Sequence, residues 1–107
     1  MRLVIAVVRP AQVEAVRQAL AAVHVTRLSV CDGQGVAVGP AAGITQQTIL
    51  QVAVNEDFLA RTVDTIRSVL AAGPQTAGCD DGGGGLFVLP MSEAVQIYRE
   101  VRGPEAI

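Results

Sequence analysis

Residues 3–8 read Leu-Val-Ile-Ala-Val-Val, and this run limits what the chain can fold into more than any other stretch. In a strand, Leu3, Ile5 and Val7 point to one side of a sheet and Val4, Ala6 and Val8 to the other. Neither set tolerates water, so the run is expected to be an interior strand covered above and below. The rest of the chain has to supply two covers for one sheet.

The 107 residues suit a single domain spanning residues 1–107. Half of them are hydrophobic but only 3% are aromatic, so the core must be built from Val, Leu, Ile and Ala. Pro10 can open a helix, because the first turn does not need its missing amide donor. Val13, Val16, Leu20 and Val23 then recur at helical spacing, and His24 and Val25 end the run. Residues 26–31 predict a strand, and residues 32–43 (DGQGVAVGPAAG) a flexible connection. Residues 45–54 form a long strand, with Thr48, Leu50, Val52 and Val54 on its core face.

Asn55 is a good N-cap, and Glu56 and Asp57 suit the positive end of a helix dipole. The helix that follows carries Leu59, Val63, Ile66 and Leu70 as its apolar stripe and stops at Gly73-Pro74. Residues 75–85 (QTAGCDDGGGG) predict an irregular loop, and residues 86–89 a short buried strand. Ser92 is expected to cap a brief helical turn through Val95.

The resulting order, βαββαβ, is an α+β, ferredoxin-like sandwich. Right-handed crossovers put both helices on one face of an antiparallel sheet. That supplies one cover only. Leaving several Val, Leu or Ile side chains wet on the other face forfeits roughly 1.5–3 kcal/mol each, so the bare face is expected to close against further copies of the chain.

Charge and composition exclude several functions. A net charge of -2 offers no basic field for nucleic acid, and no run is long enough to span a membrane. With two cysteines a disulfide scaffold is not expected, and the default address is the cytoplasm. All eight basic residues are arginines, which removes a P-loop lysine and a Schiff-base lysine together. The run Gly82 to Gly85 lacks the GK[ST] ending and leads into a strand, and no helix follows Gly33-Gln34-Gly35 as a dinucleotide fingerprint requires. Only His24 could serve as an imidazole base, and spacing identifies no acid–base pair, so the chain is not expected to be an enzyme. Arg99 and Arg102 could grip a phosphate or carboxylate.

Five segments in the same order give the chain a family resemblance. They are residues 5–10 (IAVVRP), 16–20 (VRQAL), 63–66 (VDTI), 86–90 (LFVLP) and 102–107 (RGPEAI). Together they resemble the PII nitrogen-regulatory signal-transduction family. The resemblance implies a homotrimer whose sheets face inward, sensing adenine nucleotides, often with 2-oxoglutarate, in clefts between subunits. It also implies a long loop that moves against a protein target, an enzyme, transporter or transcription factor.

By the same resemblance, Leu28, Ser29, Gly35, Val36, Ala37, Gly82, Gly83, Gly84 and Gly85 would line the cleft, and Arg99 or Arg102 of this chain's tail would have to stand in for the family's cations. The functional loops depart from the family pattern. The target-contacting loop between Gly35 and Thr45 is short and lacks the tyrosine that receives a nucleotidyl group, so uridylylation is not expected. Gly82 to Gly85 replace a glycine, aspartate, glycine, lysine sequence, Gln96 and Tyr98 replace a basic pair, and Gln47 replaces an oxoglutarate-binding lysine. ATP and oxoglutarate binding is therefore expected to be weakened or lost, with a different small effector in their place. The alternative is a metal-binding or metal-tolerance trimer like the CutA proteins, using Cys31, Cys79, Asp80 and Asp81.

Overall fold

A computed structural model of the chain describes residues 1–37, 43–72 and 85–107. The apolar run becomes β1 (Arg2–Val8), flanked on both edges in a four-stranded antiparallel sheet. The other strands are β2 (Ser29–Ala37), β3 (Gly43–Val54) and β4 (Gly85–Pro90), in the spatial order β2-β3-β1-β4. Two helices, α1 (Val13–Ala22) and α2 (Glu56–Ala72), complete the ferredoxin-like arrangement.

Register sorts the side chains of β1 as its period requires. Val4 lies opposite Val52 and Val88, Ala6 opposite Leu50 and Leu86, and Val8 opposite Thr48. On this face Val4, Ala6, Val8, Leu50, Val52 and Val54 are buried together with Val16 and Leu20 of α1 and Ile66 of α2. Thr62 is buried among them without penalty, because its hydroxyl donates to the Phe58 carbonyl at 2.7 Å.

The other face carries Leu3, Ile5 and Val7 beside Ala53, Ile49, Phe87 and Leu89. Both helices pack on the opposite side, so within one chain Phe87 and Leu89 stay 55% and 45% exposed. The buried strand expected at residues 86–89 is thus an edge strand, uncovered in a single subunit. Gly85 lies against the same ring, since a Cβ there would come within 2.8 Å of Phe87.

Two further expectations are corrected. Residues 32–37 are not a flexible connection: Gly33 pairs with Gln47, Gly35 with Thr45 and Ala37 with Gly43. The β-forming residues of the partner strand organise the glycine-rich one, overriding its local preference. As β1 pairs with β3 only as far as Thr48, this part of β2 and β3 leaves the sheet as a two-stranded ribbon. Nor does Ser92 start a helical turn. Val95–Gln96 (β5) pairs with Val101–Arg102 (β6) in a small hairpin whose turn holds Glu100 at φ 53°. One hydroxyl cap does not nucleate a helix across so few residues, and Val95, Ile97, Tyr98 and Val101 suit strand and turn.

The end of α1 is built around His24. His24 donates its backbone N–H to the Ala21 carbonyl at 3.0 Å and Val25 to that of Leu20 at 2.9 Å, while buried Val25 and Leu20 join the same core. This Schellman closure requires a left-handed residue, and His24 adopts φ 68° despite its Cβ. His24→Gly is expected to raise stability by about 1 kcal/mol. Urea denaturation checks it: an unchanged or lower midpoint means that imidazole contacts outweigh the backbone strain.

Candidate ligand cleft

The residues expected to line a cleft are spread across the subunit. Ser29 starts β2 opposite Gln51, with Leu28 just before it, while Gly35, Val36 and Ala37 stand at the far end of the ribbon. Six residues of strand separate Ser29 from Gly35, about 20 Å. Gly85 lies opposite Val7 on β4, three strands from β2, about 14 Å across the sheet. One subunit therefore does not bring these groups together. Gly82, Gly83 and Gly84, like Cys79, Asp80 and Asp81, lie outside the described residues.

One group does converge. The tail folds back so that Ala94, Ala106 and Ile107 meet Leu28, Ser29, Gln51 and Ala53 around a hollow of about 400 Å³. A second hollow of about 270 Å³ adjoins it, running past Arg27 to Asn55 and Phe58. Thr26, Arg27, Ala53 and Ile107 line both. Sequence reasoning missed this trough, because nothing in the tail's composition indicates where the segment after residue 102 docks.

Arg27 brings a cation to both hollows, and the other arginines near these surfaces are engaged or lie away from them. Arg102 is 3.6 Å from Glu93, and Arg99 is exposed in the hairpin turn. Arg61 stacks over the Phe58 ring at 4.6 Å and reaches the Val23 carbonyl at 3.5 Å. Gln96 and Tyr98 bring no charge to the hairpin, and Tyr98 is fully exposed.

On the ribbon, the Gln47 side chain lies across Gly35, where a Cβ would come within 2.2 Å of Nε2. Gly35 is thus the bare backbone that lets this amide lie flat, a pairing that neither residue announces in sequence. Cys31 is a free, exposed thiol on the open face, opposite Ile49. Among the described residues no three His, Cys, Asp or Glu side chains gather as a metal site requires. Among the same residues no helix is long and apolar enough to cross a membrane.

The sheet order, the helices confined to one face and the ribbon extended from β2 and β3 define a ferredoxin-like α+β subunit with one face of its sheet open. A family description, nitrogen regulatory protein P-II, matches residues 1–101. The nitrogen regulatory protein GlnK1 of Methanosarcina mazei is 30% identical across the whole of this chain and 97% of its own length. The crystal structure of Arabidopsis thaliana PII bound to citrate superposes with a TM-score of 0.81 at 24% identity, covering 99% of this chain and 91% of that one. The chain belongs to the P-II family of nitrogen regulatory proteins, whose members form trimers and act on partner proteins. The resemblance carried by residues 5–10, 16–20, 63–66, 86–90 and 102–107 is thereby borne out.

One electrostatic contact ties β1 to the helix beside the trough. Arg2 donates to Glu56 at 2.8 Å and holds that carboxyl below its ordinary range. A depressed carboxylate pKa stabilises the fold fully above the unfolded-state value, and the effect is lost as pH falls through the folded value. The stability difference between wild type and Glu56→Gln is therefore expected at neutral pH and should close on acidification. Because both groups are exposed, high salt should shrink it as well. Urea denaturation at neutral and acid pH, with and without salt, measures both.

Proposed function

We propose that this chain is a trimeric signal-transduction subunit that senses a small effector in clefts between copies and passes the signal to a protein partner. It is a regulator, not a catalyst. The observation that carries this reading is the open sheet face, where Leu3, Ile5, Val7, Ile49, Phe87 and Leu89 form one apolar surface with no helix of the described residues over it. A second copy on that face restores the burial that one chain lacks. It also gives Leu28 and Ser29 the opportunity to meet another copy's ribbon and β4, which a single subunit keeps about 14–20 Å apart.

The effector is a small molecule for which ATP is a poor candidate. An adenine nucleotide would find backbone edges around Leu28, Ser29, Gly35, Val36, Ala37 and Gly85. Its triphosphate needs several charges, and beside Arg27 at the trough the described hairpin adds only Arg99 and an Arg102 that Glu93 already shares. Gln47 offers an amide where a carboxylate-binding lysine would serve oxoglutarate. Both ligands are therefore expected to bind weakly or not at all. The partner is a protein, met by the short ribbon end and not by a modified tyrosine.

Phe87→Asp tests the assembly, because Phe87 stands on an exposed edge where a charge leaves the helix-facing core intact. Wild type is expected to sediment as a trimer at micromolar concentration, and Phe87→Asp as a monomer with an unchanged far-ultraviolet spectrum. A wild-type monomer defeats the reading. Isothermal titration with ATP, ADP, AMP and 2-oxoglutarate tests the ligand side: ATP should bind at best in the millimolar range, and micromolar binding overturns the argument from missing charge.

A further inference from the structure

Asn55 occupies the junction between Val54, which ends β3, and Glu56, which begins α2. Its backbone carbonyl accepts the Phe58 N–H at 2.9 Å, as a residue at the cap of a helix does. Its side chain does not cap. The amide nitrogen turns away and donates to the Pro104 carbonyl at 3.0 Å, and Oδ1 is buried with no partner among the described residues. A buried amide oxygen left unpaired is costly, and α2 forgoes the side-chain acceptor that its first amides favour. Asn55 thus holds the tail at the expense of its own helix.

The held segment has the features of a strap. Gly103 turns the chain at φ 74°, with open space around its Cβ position, and its N–H is anchored to the Ala94 carbonyl at 2.8 Å. From that pivot, the short 3-10 turn Gly103–Ala106 carries Ile107 to the boundary between the two hollows, both of which it lines. Hydrogen bonding reaches this segment from outside the hairpin through Asn55.

We propose that residues 103–107 are a releasable strap, and that Asn55 is a two-position clasp which either grips Pro104 or caps α2. In the gripped state seen here, Ile107 divides the trough. On release, Oδ1 turns to the N–H of Asp57 or Phe58, the Pro104 carbonyl is left to water, and the hollows merge from Phe58 to Ser29. One hydrogen bond is exchanged for another, so the two positions are close in free energy and a modest bias selects between them. If the hollow beside Leu28 and Ser29 belongs to the effector cleft, an effector needing the space of Ile107 supplies that bias. This last step rests on the reading given under Proposed function, whereas the strap itself does not.

The test uses the full chain without ligand. Amide exchange and methyl shifts are followed by NMR in wild type, Asn55→Asp and Asn55→Ala. Aspartate cannot donate to the Pro104 carbonyl but is a strong cap. In Asn55→Asp the Gly103 and Ile107 amides are expected to exchange about fivefold faster, the scale of one net hydrogen bond. The Asp57 and Phe58 amides should slow in the same variant. In Asn55→Ala both sets should exchange faster, with Ile107 methyl shifts matching those of Asn55→Asp. Tail amides unchanged in Asn55→Asp, or a freed tail without slower α2 amides, overturns the clasp. Because no ligand is present, that failure leaves the effector reading standing, and weak effector binding leaves the clasp standing.

Discussion

The structure depends on β1 being apolar on both faces while lying between two other strands. Its edges are satisfied by β3 and β4. Its even-numbered face is sealed by α1 and α2 through Val16, Leu20 and Ile66. Its odd-numbered face is left to Leu3, Ile5 and Val7, which no described element of the same chain covers. In a chain this short the helices cannot wrap both sides, because a βαββαβ order with right-handed crossovers delivers them to one.

That geometry also explains why, among the described residues, one subunit does not gather Leu28, Ser29, Gly35, Val36, Ala37 and Gly85 in one place. Strands fan residues out along and across a sheet, and in this chain the glycines of the ribbon, Gly85 and the start of β2 fall at three separate corners. Residues so placed can face a common small molecule only across a boundary between copies. The uncovered face and the wide spacing of these residues are thus two consequences of one topology.

How far the sequence could be read follows from which forces act locally. The helix stripes, the core face Thr48-Leu50-Val52-Val54 and the start of α2 after Asn55 were legible, because periodicity reports burial directly. The extension of β2 through residues 32–37 was hidden, since glycine there has no preference of its own and the order is imposed by Ile44 to Gln47 opposite. The β5–β6 hairpin was hidden for a related reason: a single Ser92 signal outweighed pairing partners five and seven residues apart. The site was less legible than the fold. Leu28 and Ser29 do line a hollow, but Asn55, Phe58 and Ile107 complete the trough through tail docking, and Asn55 satisfied its sequence role by position while its side chain went elsewhere.

The ribbon shows what a short connection changes physically. Strand pairing continues to Ala37 and Gly43, so only five residues, 38–42, join the two strands. The last full cross-strand pair before that join on the helix side, Val36 with Ile44, leaves both side chains about two-thirds exposed, at 70% and 67%. A long loop that orders on a partner loses conformational entropy residue by residue. A paired ribbon has already lost most of it, so its apolar tip can be offered to a partner at smaller entropic cost but with less freedom to change shape. A displacement of such a paired end has to carry the strands behind it, back to Asp32 and Thr48, because the ladder couples them residue by residue.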